Sequence, residues 1–321
     1  MNILITSVCN RRCPYCFAAS RITNTPTEQD SDPRYITKEN FGRALAVVAG
    51  QEPVVGILGG EPSLHPEFAA LLEQAWAAGL DTKVFTNGCW TERTLDAVEK
   101  LAEQNTRNLR LIVNTNHPSI TPENERRAQQ RLFARLPEHC SLSFNIHTLE
   151  QDMGFLVDLI LERGLMHDIR LGIAAPLAEQ ASEFIPLDEY GRVAPLIMAL
   201  AERCDEHEIR IGFDCGFTLC MFTAEQLGQL RLAGADFKAV CNPVIDVGVD
   251  LTAWACFPLA TLCKSVSIDE YKDARGLHRY FEDYFTALYA TGGRAECVDC
   301  KHLKRKSCMG GCAAHTYRRY A

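Results

Sequence analysis

The sequence predicts an α/β fold on a parallel sheet, followed by a small cysteine-rich part. Three observations carry that expectation. Short apolar or β-branched runs alternate with helix-patterned stretches from residue 3 to about residue 213. Most of these runs are continuous rather than apolar/polar alternations, as strands covered on both faces require. After Ile209–Phe213 the alternation stops and cysteines become dense. The count is six βα units, which implies right-handed crossovers. Six are too few for a closed eight-stranded barrel, leaving a partial barrel or an open doubly wound sheet. In either, functional loops belong at the C-terminal ends of the strands.

The expected strands are Ile3–Thr6, Val54–Leu58, Thr82–Thr86, Leu109–Asn114, Leu142–His147 and Ile169–Ile173. Thr37 precedes the apolar set Phe41, Ala44, Leu45 and Val48 of a first helix. Pro66 suits the first turn of a second, which Gly79 ends. A third spans about 91–104. Thr121-Pro122-Glu123 reads as N-cap, N1 proline and a carboxylate favoured by the helix dipole. A helix over 151–163 stops at Gly164, and a longer one lies near 188–207. A boundary near 213 divides residues 1–213 from 214–321, where turns such as Asn242-Pro243 and Gly292-Gly293 appear. No low-complexity linker separates the parts, so they are expected to pack rigidly.

Composition narrows the function. With 47% hydrophobic and 23% charged residues, the chain is neither disordered nor collagen-like. A net charge of −8 argues against general nucleic-acid affinity. No segment reaches the ~18 unbroken apolar residues of a membrane span, and MNILITSVCNRR lacks the order of a secretion signal. The 15 cysteines are odd in number, so they cannot all pair. A chain this long needs no disulfide staples, which points to a reducing cytoplasm and to metal or redox chemistry.

Directly after the first strand stands Cys9-Asn-Arg-Arg-Cys13-Pro-Tyr-Cys16, a C-x3-C-x2-C spacing. Three thiolates on one short loop reach three corners of an iron–sulfur cube, whose usual ligand number is four; one iron then stays open. Arg11 and Arg12 are expected to favour thiolates over thiols. The alternative is a three-cysteine zinc site completed by a distant histidine, a pattern unusual after the first strand of a βα domain.

CNRRCPYC after strand one, Gly59-Gly60-Glu61-Pro62 after strand two and Thr86-Asn87-Gly88 after strand three together resemble the radical S-adenosylmethionine (SAM) enzymes, over roughly residues 3–213. The resemblance implies a partial (βα)6 TIM-like barrel. It implies a 4Fe–4S cluster on Cys9, Cys13 and Cys16 that chelates SAM, with Tyr15 near the adenine. Gly59, Gly60, Glu61 and Pro62 would meet the SAM ammonium group. Asn87, Asn114 (where relatives commonly have serine) and Asn145 are further ribose or substrate contacts, or else turn residues closing their own backbone. The implied reaction is reductive cleavage of SAM to a 5′-deoxyadenosyl radical that takes hydrogen from a substrate.

Downstream lie Cys241-x14-Cys256 and Cys297-x2-Cys300-x7-Cys308-x3-Cys312. Alone, four cysteines suit tetrahedral zinc. Beside the first motif, the set resembles the SPASM or shorter twitch extension, with one or two auxiliary 4Fe–4S clusters. That resemblance assigns Cys241, Cys256 and Cys312 to a nearer cluster, with Cys215 or Cys220 as fourth ligand, and Cys297, Cys300 and Cys308 to an outer one. A full SPASM pattern has a further cysteine after the CMGGC-like element; none stands between Cys312 and Ala321, and Cys263 is a spare. Cys89, Cys140 and Cys204 are expected to be inert thiols. Sulfatase-maturing relatives have an aspartate where this chain has Phe257, which argues against formylglycine formation.

Lys301, His302, Lys304, Arg305 and Lys306 form a basic stretch, read as charge compensation for thiolates or as a dock for an acidic peptide. His117, His147 and His315 are candidates to line a cavity. The leading expectation is a maturase that crosslinks, epimerises or oxidises a peptide or protein. Only eight residues precede Cys9, so recognition of a leader is expected to fall to a separate leader-binding protein, the basic segment or the substrate itself, with an electron donor such as flavodoxin or ferredoxin. The alternatives are a twitch-type small-molecule dehydrogenase and a non-catalytic zinc or iron–sulfur scaffold.

Overall fold

A computed structural model describes residues 1–22, 34–104, 109–177, 181–237, 239–241, 244–261, 264–289 and 294–320. Cys263 and the Asn242-Pro243 and Gly292-Gly293 turns lie outside them. Seven strands, β1 (Asn2–Leu4), β2 (Val54–Leu58), β3 (Asp81–Thr86), β4 (Leu109–Asn114), β5 (Cys140–Ile146), β6 (Asp168–Ile173) and β7 (Arg210–Phe213), pair in chain order. All six pairings are parallel. Between them run α1 (Lys38–Val48), α2 (Phe68–Ala77), α3 (Glu92–Gln104), α4 (Glu123–Arg135), α5 (Gly154–Arg163) and α6 (Tyr190–Glu206). The expected count of six strands is therefore one short. Ile209–Phe213 pairs with β6, Ile169 opposite Ile211, and extends the same sheet.

The helix ends follow local chemistry. Thr37 Oγ1 accepts the Asn40 N–H at 3.1 Å to start α1, and Gly164 closes α5 in the left-handed region at φ +61°. The expected cap of α4 is displaced by one residue. Pro122 takes the N-cap position, while the Thr121 hydroxyl donates to the carbonyl oxygen of His117 at 2.9 Å and so leaves the helix uncapped by a side chain.

Burial distinguishes the partial barrel from the doubly wound sheet. Phe41 and Leu45 of α1, Leu71 of α2, Val98 of α3, Phe133 of α4, Ile160 of α5 and Ile197 of α6 join one core with Ile3, Ile57, Val84, Leu111, Phe144 and Leu171. All six helices thus cover one face of the sheet. A doubly wound sheet would place helices on both. The other face carries Lys83, Phe85, Arg110, Asp168 and Arg170, half-buried between the buried residues of their strands. Arg110 pairs there with Asp168, and Arg170 with Asp214. The continuous apolar runs concealed this polar inner face.

The segment after residue 213 continues the same sheet. It comprises α7 (Ala224–Leu232), β8 (Ile245–Val247), β9 (Thr252–Ala255), β10 (Val266–Ser267), α8 (Ala274–Tyr289), α9 (Lys301–Lys304) and α10 (Ala313–Tyr320). β8 adds parallel to the outer edge of β1, Asn2 opposite Asp246, and β9 and β10 follow antiparallel. Trp254 and Phe257 pack with Leu4, Leu58 and Ala18 in a second apolar cluster. Among the described residues, no helix is long and apolar enough to cross a membrane.

Candidate functional site

The three motifs meet because β1, β2 and β3 are parallel neighbours whose C-terminal ends open on one side. Beyond β1 the chain runs through Thr6 and Val8 into the Cys9–Cys16 loop. The Gly60 N–H donates to the Thr6 carbonyl at 2.9 Å and the Glu61 N–H to the Val8 carbonyl at 2.8 Å, so the second motif runs alongside the first. A Cβ on Gly60 would stand 2.2 Å from the Val8 carbonyl oxygen and 2.7 Å from Cys9 Cβ. Only glycine permits that approach. The space freed at Gly60 is thus taken by the cysteine loop itself.

Glu61 is fully buried. Its Oε1 accepts from the Thr86 hydroxyl at 2.7 Å and the Ser63 N–H at 3.2 Å, and its Oε2 from the Asn87 N–H at 2.7 Å. Thr86 in turn accepts from Gly88 N–H at 3.0 Å and Trp90 Nε1 at 2.7 Å. Pro62 opens the single 3-10 turn that Glu61 caps. One carboxylate therefore ties the second motif to the third.

Tyr15 is buried at the mouth of the sheet, stacked on His147 with ring centroids 4.5 Å apart. Its hydroxyl donates to Asn116 Oδ1 and accepts from Asn114 Nδ2. Asn145 Nδ2 continues the chain by donating to Asn114 Oδ1 at 2.9 Å. Asn87 Nδ2 donates to Asn10 Oδ1 at 2.7 Å. The three asparagines thus stand at the ends of β3, β4 and β5 on the rim of one opening. His147 Nδ1 lies 3.0 Å from Glu183 Oε2. His117 packs instead on Phe155 and His315 on Tyr190 and Phe184, so the three histidines are not brought together.

Arg11 was not anticipated as a structural centre. Its guanidinium is buried, paired with Glu125 at 2.7 Å, and donates to the Asn114 carbonyl at 3.0 Å. It also lies near the Asn87 carbonyl and Cys89 Sγ, at 3.5 and 3.7 Å. Gln129 Nε2 reaches the same two carbonyls at 2.8 and 3.2 Å. The cysteine loop is thereby anchored to the ends of β3 and β4 through α4. No local sequence pattern signals this, because the partners are about a hundred residues apart.

Residues 3–152 match the family model described as the Radical SAM superfamily. They form a radical SAM domain. GTP 3′,8-cyclase of Chlorobaculum tepidum is 30% identical over 156 residues, covering 46% of this chain and 44% of that protein, less than half the length of this curated relative. The structure of Streptococcus suis SuiB bound to precursor peptide SuiA covers 98% of this chain and 71% of its own, with TM-score 0.66 at 14% identity. Native anSMEcpe with bound AdoMet covers 97% and 88%, with TM-score 0.68 at 14% identity. The two structures show the fold, across the C-terminal part as well.

The match of residues 3–152 to the Radical SAM superfamily model implies SAM and a 4Fe–4S cluster, and the donor set there fits them. Cys9, Cys13 and Cys16 are half-buried and within electrostatic reach of one another. Burial pushes each thiol up to about 11, with Arg11 only partly opposing it at Cys9 and Cys13. Arg11 favours the thiolate at Cys9 and Cys13, as its position in the motif suggests, but desolvation outweighs it, and Arg12 is exposed. Metal must displace these protons. Among the described residues no three His, Cys, Asp or Glu side chains converge as a single ion requires. A lone zinc draws its sulfurs to ~2.3 Å, whereas a cube binds each cysteine at a separate corner.

Two further cysteine groups flank the radical SAM domain. Cys256 lies within electrostatic reach of Cys312, Cys215 and Cys241, and Cys215 of Cys312 and Cys241. Burial raises the Cys256 thiol well above its ordinary range and the Cys312 thiol to about 12. Phe257 stacks edge-on against Phe17 at 5.1 Å, and Arg21 covers Trp254 at 4.3 Å, seating this group beside the Cys9–Cys16 loop. Cys220 is not in that group. It lines a separate small cavity with Cys297, Cys300 and Cys308. Cys140 and Cys204 are core residues, and no described cysteine forms a disulfide. In the basic stretch, Lys304 pairs with Asp299 at 3.1 Å on the surface. A groove of ≈ 310 Å³ lies between the second half of α6 and α7 and is lined by none of these cysteines.

Proposed function

We propose that this chain is a radical SAM enzyme acting on a peptide or protein, with its chemistry at the C-terminal ends of β1 to β5. The observation that carries the reading is the stitching of Cys9, Gly60, Glu61, Thr86 and Asn87 into one continuous network. When bound, a 4Fe–4S cluster on Cys9, Cys13 and Cys16 and SAM would supply one-electron cleavage of SAM and hydrogen abstraction from the substrate. The chain's own residues hold and shield. Arg11 and Glu125 fix the loop, Gly59 and Gly60 keep the second motif flat against it, and Tyr15 walls the opening against water. Asn87, Asn114 and Asn145 offer amides to a ribose or a substrate.

Cys241, Cys256 and Cys312 with Cys215 would hold a nearer auxiliary cluster, and Cys297, Cys300 and Cys308 an outer one, as in SPASM or twitch extensions. The place of the Cys256 group beside the Cys9–Cys16 loop suits an electron path away from the substrate. A flavodoxin or ferredoxin would supply the first electron. The SuiB likeness, with a precursor peptide bound in that structure, favours the peptide reading. The match to a protein named for GTP favours the second, a small-molecule substrate.

The deciding experiment incubates the reduced, anaerobically reconstituted protein with SAM and a candidate peptide. A peptide product about 2 Da lighter, the loss of two hydrogens, supports the first reading. Consumption of a small molecule with all candidate peptides unchanged supports the second.

A further inference from the structure

The loop after β7 carries Cys215 and Cys220, and the two part company. Cys215 lies with Cys241, Cys256 and Cys312. Cys220 faces the cavity shared with Cys297, Cys300, Cys308 and His302. Packing of the Cys308-Met-Gly-Gly-Cys312 turn explains the division. Gly311, at φ +96°, sits against the loop, where a Cβ would meet Thr218 Cγ2 at 3.4 Å and the Gly216 carbonyl oxygen at 3.5 Å, and against Leu187 ahead of α6, whose Cδ2 it would meet at 2.7 Å. The turn is held from behind by the Met309 N–H, which donates to the Ala239 carbonyl at 3.0 Å. Pressed together at this glycine, turn and loop each send one cysteine to either group: Cys312 joins Cys215, and Cys308 joins Cys220.

We infer that Cys220 is the fourth ligand of an iron–sulfur site made with Cys297, Cys300 and Cys308. The inference rests on the iron–sulfur reading of the C-terminal cysteines proposed above. Cys308 Sγ already accepts the Gly310 N–H at 3.4 Å. The cavity is small, ≈ 20 Å³, so seating a cube requires the Cys220 loop to move outward. Cys220 is exposed on its outer side and has room to do so. Four cysteines close every corner of a cube. The outer site would thus pass electrons and bind no substrate, and the loop after β7 would bridge both auxiliary sites.

The test uses the full chain with Cys9, Cys13 and Cys16 all changed to alanine, so that any remaining iron belongs to the C-terminal cysteines. Adding Cys220→Ala is expected to remove about four irons and four sulfides per chain, one cube, or to retain them with one iron site shifted in the Mössbauer spectrum. Cys220→Ser, closer in size, gives the same shift if alanine impairs folding, and His302→Ala leaves iron and spectrum unchanged. Unchanged iron and an unchanged spectrum in both Cys220 variants would overturn the assignment. A background protein holding zinc or no metal would instead sink the iron–sulfur reading on which it rests. In the unmutated holoprotein, Cys220 should resist alkylation by iodoacetamide together with Cys297, Cys300 and Cys308. Alkylation of Cys220 alone would contradict the proposal.

Discussion

At the scale of residues, the site depends on a few contacts with no slack. Gly60→Ala forces a carbon into the Val8 carbonyl and Cys9 Cβ. Overpacking of this kind costs about 1–3 kcal/mol, and here it displaces the cysteine loop as well. The variant should lose most of the iron bound by Cys9, Cys13 and Cys16, read by iron analysis against the parent. Glu125→Ala leaves the Arg11 guanidinium buried without its carboxylate. Breaking a buried pair costs roughly 3–5 kcal/mol, and the low end applies because Glu125 keeps some exposure. A lower apparent Tm and weaker SAM binding by calorimetry are expected; unchanged values would remove Arg11 from the account. The cysteine spacings and Glu61 were legible because each motif is local in sequence. Arg11, Asn116 and Gln129 were not, because their partners come from other strand ends and obey no short-range pattern.

At the scale of elements, the helices and six strands were legible from periodicity, caps and glycines. What failed was counting short strands. β7 has four residues and β8 three, too few to establish a period. Their importance comes from pairing, which sequence does not display. β8 covers the edge of β1, and Trp254 and Phe257 cover Leu4 and Leu58. A fragment ending at residue 213 would expose both the edge and the apolar cluster. It should aggregate, as measured by soluble yield and size-exclusion elution. A soluble, monomeric 1–213 fragment would show that the boundary separates independent units.

At the scale of the whole molecule, Asp246 reports on how β8 is joined to β1. It is fully buried, accepts from Asn2 Nδ2 at 2.8 Å, and burial raises its carboxyl from 3.8 to about 7. The folded protein holds this proton where the unfolded chain releases it. The stability it contributes is present below about pH 4. It is lost as pH rises towards 7, amounting to roughly 4 kcal/mol at most. Asp246→Asn keeps the hydrogen bond without the charge. Its apparent Tm advantage should therefore grow from pH 5 to 7 and then level; a difference independent of pH would contradict this.

The choice between partial barrel and doubly wound sheet also belongs to this scale. The motif resemblance pointed to the barrel, but the strand pattern alone did not, because a half-polar inner face interrupted by Lys83, Arg110 and Arg170 reads much like ordinary strand variation. Only the gathering of six helices on one face decides it. The central claim is that the ends of these strands organise SAM chemistry. Its most direct measurement is 5′-deoxyadenosine formed by the reduced, iron-reconstituted protein with SAM, compared with Cys13→Ala. The account predicts 5′-deoxyadenosine from the parent protein and none from the variant. Equal formation by both, or none from a parent protein that holds only zinc, would contradict it.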